Sequence, residues 1–485
     1  MRRYLWFSLM ASVFVAGATG QTQDGVSARR EKVVEENLHY LTVIKGHPDP
    51  GMSLVDQMLR LHVPGVSIAV IHDKRIDWSK GYGVARLGGP PVSALTLFGA
   101  ASMSKPVTAM AVLRLVQERK IDLDVDVNTY LKSWKIPANE YTKNHPVTVR
   151  ELLSHTSGIG THGGMIYDPD RGVPSMLDIL DGKPPATTTP IRVESEPGKK
   201  YAYANGGYLI LELLITDLTG KPFAEAMEEL VLAPIGMSQS TFLAPLSPVK
   251  AANAATAYDE NGTSGIAAAH FVEPNAAAGG LWTTATDYAR FVIELQKEYS
   301  GESLRVLNQK MAQMMVTAGM GPSESIRWGL GVRVGGTPPN IYFEHGGSAA
   351  FQCDMAGYPS GDGVVVLTNG GGGGSLSDQI VRSVAQAYAW PDFQPVEHTV
   401  VPVDPSKFGH YVGTYDFIKV TQDGSHLMAE IPLGSKAQEL FPESETQYFL
   451  RDVPTRVIFD VNPVGSVTGL EFITTYVHWH REKNP

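Results

Sequence analysis

Between Ser102 and Glu118 the chain is apolar on nearly every side, through Met110, Ala111, Val112, Leu113, Leu115 and Val116. A surface helix carries one apolar stripe, whereas a helix apolar all round must be enclosed by other elements. Pro106 is tolerated only in a first helical turn, which sets the helix start close to Ser102. The chain must therefore build a core thick enough to surround this helix. Its 485 residues, 43% hydrophobic and 19% charged, supply that core and suit two or three domains. Net charge is −10 without a long basic run, which argues against nucleic acid as a partner.

Elements around this helix fall into a pattern. Helical periodicity covers about 28–40 and 54–61, and 66–72 with 75–81 reads as a β-hairpin turning at Asp73-Lys74. From 120 to 300 helices and loops dominate, clearest at 207–218, 223–232 and 287–297. Strands return at 328–334, 341–344, 352–358 and 364–368, followed by a helix over 376–389. Strands at both ends with a helical block between them predict an α/β layer with an all-α region beside it. Pro391 to Pro405 reads as a linker, and 409–480 as short strands with turns at Asp423-Gly424 and Gly434-Ser435, a small β-barrel or sandwich. Gly370 to Gly374 lack a following Lys-Ser/Thr, so they are no phosphate loop and read as a flexible surface turn.

The first twenty residues differ from the rest. Arg2 and Arg3 precede an apolar stretch from Leu5 to Ala16 and the small residues Ala18, Thr19 and Gly20, the layout of a secretory signal cleaved after Gly20. The alternative, an N-terminal anchor, is disfavoured because the apolar run is short for a span. The mature protein is then exported, periplasmic or secreted, with no stable membrane span. Cys353 is the single cysteine, so no internal disulfide can form, and it reads as a buried structural thiol.

Three short motifs carry chemistry. Ser102-Met103-Ser104-Lys105 puts a hydroxyl and an amine three residues apart at a helix start, on one face. A serine hydroxyl is a weak nucleophile until a base takes its proton, and a desolvated lysine gives up its charge readily. Tyr203-Ala204-Asn205 offers a phenol to relay a proton and an amide to hold a carbonyl. His345-Gly346-Gly347-Ser348 follows the strand ending at Glu344, and its glycines let a substrate lie against a strand edge. His478 and His480 share a strand face, where a metal is possible but a solvated strand end is favoured. His155 and His162 have no evident partner and read as loop structure. Gly-x-Ser-x-Gly and His-Glu-x-x-His are both absent.

In order and spacing the three motifs resemble the serine β-lactamase and penicillin-binding protein superfamily. The tyrosine and histidine forms are similar to class C β-lactamases, DD-carboxypeptidases, D-aminopeptidases and family VIII carboxylesterases. Leu152-Leu153-Ser154-His155-Thr156-Ser157-Gly158 and Gly279-Gly280-Leu281-Trp282-Thr283-Thr284 extend the likeness over about 50–390. The resemblance implies a β-lactamase-like fold, an antiparallel sheet flanked by helices with a helical subdomain. With the signal at 1–20, it gives a hydrolase domain at 21–395, and Tyr411-Val412-Gly413-Thr414-Tyr415 resembles the lipocalin-like β-domain of some D-aminopeptidase and esterase relatives, here at 405–485.

It also implies Ser102 as the acylated nucleophile and Lys105 and Tyr203 as the proton-shuttling pair, with the acylation base open between them. Asn205 matches the contact to the substrate amide, and the backbone N–H groups of Ser102 and Ser348 the oxyanion hole. His345 and Gly347 stand where class C β-lactamases carry Lys-Thr-Gly, a departure that weakens a dedicated β-lactamase reading. The expected activity is hydrolysis of an amide or ester through an acyl-enzyme, on small peptides, those with D-residues included, or on carboxylic esters. A β-lactamase is the same-fold alternative, and a catalytically silent penicillin-binding or sensor protein the alternative of another class. Neither cofactor nor metal is expected, and oligomeric state is left open. Because histidine ordinarily titrates near pH 6.5, His345 is expected to attract a substrate carboxylate more strongly at pH 6 than at pH 8.

Overall fold

The computed structural model describes residues 16–47, 51–160, 166–270, 272–324, 326–431, 436–474 and 478–484. Residues 1–15 of the expected signal, His162 and the Gly434-Ser435 turn lie outside them.

The centre is a seven-stranded antiparallel sheet. Its strands are β1 (Gly65–His72), β2 (Arg75–Gly83), β3 (Arg327–Trp328), β4 (Arg333–Thr337), β5 (Asn340–Ser348), β6 (Gln352–Gly357) and β7 (Gly363–Thr368), in spatial order β2-β1-β7-β6-β5-β4-β3. On β1 and β7 the apolar side chains divide between two cores. Ile68, Val70, Val364 and Val366 face one, and Ala69, Ile71, Val365 and Leu367 face the other. Burial on both faces explains why these strands read as continuous apolar runs instead of alternating.

On one face lie α1 (Ala16–Glu36) and α6 (Gly373–Ala387). On the other lies the helical block, with α2 (Ser104–Gln117), α3 (Asn205–Thr219), the short α4 (Ala276–Gly279) and α5 (Ala285–Ser300). Eleven of the fourteen residues of α2 are buried, as its all-round apolar sequence requires. The Asp73-Lys74 turn takes positive φ at both residues and joins β1 to β2 as a hairpin.

Three boundaries differ from the sequence reading. The 328–334 strand is two short strands, because Gly331 at φ +90° turns the chain between them. β5 runs on to Ser348, so the His345 motif lies within the strand and not after it. Gly370 to Gly374 are no flexible surface turn: Gly370 and Gly373 are buried, and a Cβ on Gly372 or Gly373 would collide with Leu61 or Thr368.

Eight antiparallel strands in sequential order make the C-terminal region: β8 (Gly413–Tyr415), β9 (Ile418–Asp423), β10 (His426–Glu430), β11 (Gln438–Pro442), β12 (Gln447–Phe449), β13 (Arg456–Val461), β14 (Val467–Ile473) and β15 (His478–Glu482). Asn484 N–H donates back to Thr414 at 2.8 Å, so the sheet is nearly a closed barrel around Tyr415, Leu427, Tyr448 and Phe459. The Pro-rich connection is no free tether, since Val396–His398 pairs in parallel with Thr42–Ile44. The turn between β12 and β13 seats on the main body, with Asp452 paired to Arg60 at 3.3 Å and Arg451 stacked on Tyr40. His478 and His480 pair with Glu471 and Asp460 on an exposed strand end, the favoured reading of that motif.

Candidate active site

The turn that carries Ser102 is held from three sides. Ala101–Met103 forms one 3₁₀ turn leading into α2, and Ala101 has φ +45°, a costly backbone for a residue with a Cβ. Ser104 Oγ donates to Ala101 O at 2.7 Å and accepts Leu281 N–H at 2.9 Å. Tyr288 OH donates to Met103 O at 2.7 Å. These bonds fix where Ser102 points, into a cavity of about 1120 Å³ that Tyr203, Asn205, His345, Gly347 and Ser348 also line.

Lys105 lies beneath Ser102, fully buried, with Nζ 3.0 Å from Ser102 Oγ and 2.9 Å from Ala278 O. α4 is built to receive it. Ala277 O takes the Thr108 hydroxyl at 3.0 Å, and Ala277 N–H donates to the buried Glu212 at 2.8 Å. Glu273 occupies the space that a Cβ on Gly279 would fill. Burial pushes the Lys105 ammonium down from its ordinary range, opposed by the charge of Glu273. Burial pushes Glu273 up, opposed by Lys105, and Glu212 up to about 8. Desolvation thus disfavours the charged form of both the lysine and the carboxyl, while the charge of each favours the charged form of the other.

Tyr203 closes the cavity over Lys105, its ring centre 4.9 Å from Nζ. Its phenol is hydrogen-bonded with Ser102, and burial drives its pKa upward, so it stays protonated at neutral pH. Behind it stands a group that the sequence reading left as loop structure. His155 is buried with its ring centre 4.3 Å from that of Tyr203, and Trp328 packs edge-on against it at 5.1 Å. Its Nδ1 accepts Ala204 N–H at 3.2 Å, which fixes the proton on Nε2. The partner missing from the local sequence is Tyr203 itself, 48 positions further on.

His345 faces Tyr203 with ring centres 6.4 Å apart. Its Nδ1 donates to Gly346 O at 2.6 Å, leaving a buried Nε2 lone pair without a partner among the described residues. Burial, then the charge of Lys105, push it down to about 3. The expectation of a histidine charging near pH 6 is therefore corrected: His345 is neutral from pH 6 to 8.5. Gly347 lets β5 approach the Ser102 turn, because a Cβ there would meet Ala100 O. Asn205 opens α3 with a buried Oδ1 that has no partner among the described residues, and Ser348 is exposed at the cavity edge.

All seven residues singled out from sequence thus lie in or directly under one cavity. Sequence reasoning missed Glu273, Glu212 and Trp328, which act from buried positions remote in the chain. Glu273 stood six residues before the Gly279-Gly280 pair and carried no local signal. Cys353 is buried beneath the site, with Sγ 3.4 Å from Gly99 O. Asp168, Asp170 and His270 could converge on a cation, but they are mostly exposed and are not among the residues lining the cavity.

Comparison with known proteins adds four findings. A family model described as Beta-lactamase matches residues 52–389. Penicillin-binding protein 4 of Amycolatopsis lactamdurans is 27% identical over 366 residues, 73% of this chain and 93% of that protein. An unguisins hydrolase of Aspergillus campestris is 32% identical over 192 residues, 38% of this chain but only 34% of that protein. Among solved structures, an octameric penicillin-binding protein homologue from Pyrococcus abyssi superposes with a TM-score of 0.60 at 21% identity, covering 88% of this chain and 98% of that one.

Proposed function

The chain belongs to the Beta-lactamase family of hydrolases, and from that premise we propose that it is a serine hydrolase cleaving esters or small amides through an acyl-enzyme on Ser102. The observation that carries the proposal is the 3.0 Å contact between Ser102 Oγ and a fully buried Lys105 Nζ. Desolvation favours neutral lysine, which keeps one hydrogen for Ala278 O and turns its lone pair to the Ser102 hydroxyl. In acylation the Ser102 proton passes to Lys105 as Oγ bonds the substrate carbonyl carbon. On this reading Tyr203 hands its proton to the leaving group as that bond breaks, and Lys105 passes the proton it took from Ser102 on to the Tyr203 oxygen, so both groups are restored. Water then cleaves the ester on Ser102, returning the acid product and the serine hydroxyl. The N–H groups of Ser102 and Ser348 are the proposed donors to the oxyanion, and Asn205 the contact to the substrate amide.

The same geometry argues against a dedicated β-lactamase. Penicillins carry a carboxylate, and His345, uncharged over the working range, brings no positive charge to meet it. We therefore infer that a neutral short-chain ester is cleaved with higher kcat/KM than benzylpenicillin at pH 8. The two kcat/KM values, measured side by side, decide it: efficient penicillin turnover would restore the β-lactamase reading. Export rests on the layout of residues 1–20. No helix among the described residues is long and apolar enough to cross a membrane. Amino-terminal sequencing of the mature protein, expected to begin at Gln21, tests that part.

A further inference from the structure

His155 occupies a backbone position where glycine is the favoured residue. The short helix Val149–Leu153 is capped by Ser154, and His155 follows with φ +57°, in the left-handed region. Thr156 N–H donates to Glu151 O at 2.9 Å, the bond that closes a Schellman turn around such a residue. A side chain here strains the backbone, which glycine would avoid. The imidazole adds a second cost. It is 1% exposed, and its Nε2–H finds no acceptor among the described residues. The end of a helix requires neither feature, so the reason for a histidine lies in what its side chain holds.

That side chain and its own carbonyl hold Tyr203 on both sides along the chain. Ala202 N–H donates to His155 O at 2.8 Å, and Ala204 N–H donates to His155 Nδ1 at 3.2 Å. The two neighbours of Tyr203 are thus tied to one residue. Between those two bonds the imidazole lies against the phenol ring, with centres 4.3 Å apart and planes at 34°. The imidazole is backed in turn by Tyr208, with ring centres 5.4 Å apart, and Tyr208 OH donates to Leu153 O at 3.2 Å. Glycine at 155 would keep the bond from Ala202 and lose the other two contacts. Phenylalanine would keep the ring and lose the acceptor for Ala204.

We propose that His155 is a positioning residue for Tyr203: it clamps the backbone and the ring of the tyrosine so that the phenol stays at Ser102 Oγ during acylation. The inference rests on the hydrolase reading for the step in which Tyr203 acts, and on these contacts alone for the clamp.

Two variants that each remove one contact test it. His155→Asn keeps an acceptor and suits a left-handed backbone, but has no ring. His155→Phe keeps a ring without the acceptor. A displacement of about 1 Å at a reacting centre costs on the order of 10²-fold, so each variant should lower kcat for 4-nitrophenyl butyrate about tenfold or more. KM should stay within about twofold, because Tyr203 acts in the transition state. In a Tyr203→Phe background the same substitutions should change kcat by less than about twofold, since no phenol is left to position. A loss that persists in that background overturns the proposal, as does a kcat near wild type in both variants. Failure of both variants to fold overturns it too, because His155 would then serve the core. Crystal structures of the wild type and both variants give a readout free of turnover: the Tyr203 hydroxyl should lie about 1 Å or more further from Ser102 Oγ in each variant. Such a displacement, without ester cleavage by the wild type, sinks the hydrolase reading and keeps the clamp. Ester cleavage by the wild type, with an unmoved phenol in both variants, sinks the clamp and keeps the hydrolase.

Discussion

In the proposed mechanism the chemistry turns on Lys105, because a fully buried ammonium is costly unless paired. Its surroundings supply one carbonyl, one hydroxyl and one acid, Glu273, which itself is driven toward protonation. Lys105→Ala should lower kcat/KM by about 10²–10⁴-fold, and Tyr203→Phe should fall in the same range. The proposed mechanism puts both on one proton path, so the double variant should lose far less than the product of the two losses. Full multiplicativity in steady-state kinetics would show independent roles. Glu273 gives a signed pH prediction. Its charge raises the Lys105 pKa, so Glu273→Gln lets burial lower that pKa further. Lysine then loses its proton at lower pH, and the acid limb of the kcat/KM profile moves to lower pH. Movement to higher pH would mean that Glu273 does not stabilise the lysine charge.

At the scale of elements, the site depends on how closely β5 approaches the Ser102 turn. Gly347→Ala would place a methyl against Ala100 O and push the strand away. A displacement of about 1 Å at a reacting centre costs on the order of 10²-fold in rate, so kcat/KM should fall about that much while the protein still folds. Retention of wild-type rates would mean that the contact is not limiting. The strong elements were readable: α2 from its all-round apolar surface and Pro106, the β1–β2 hairpin from its turn, and the three motifs from residue type and order. What escaped was decided by tertiary contact. Nothing near His155 in the chain announces a tyrosine ring against it, and nothing near Glu273 announces a lysine. The pKa of His345 was misjudged for the same reason, since burial and a neighbouring charge are not written in its local sequence. Its motif was set after the strand because His-Gly-Gly-Ser lacks strand composition, yet β5 continues through it by pairing with β6.

Across the whole molecule, the barrel contributes to the cavity through Val453, at the tip of the turn that Arg60 and Gln379 hold by Asp452. The β-domain has its own apolar interior, which supports treating residues 405–485 as a separable unit. Ending the chain after Pro405 should leave a folded hydrolase with an altered substrate range, read from thermal melting and an ester panel. Insolubility or loss of the cooperative melt would show that the barrel completes the main core. Its presence was legible from closely spaced short strands and turns, but its seat against the cavity was not, because the contacts join residues almost 400 positions apart. The central claim, that Ser102 is the atom acylated, is tested most directly by the mass of the whole chain after a fluorophosphonate pulse, followed by peptide mapping. One adduct on the peptide holding Ser102, and none on Ser102→Ala, is the predicted result. An unlabelled wild type, or an adduct that persists in Ser102→Ala, would contradict it.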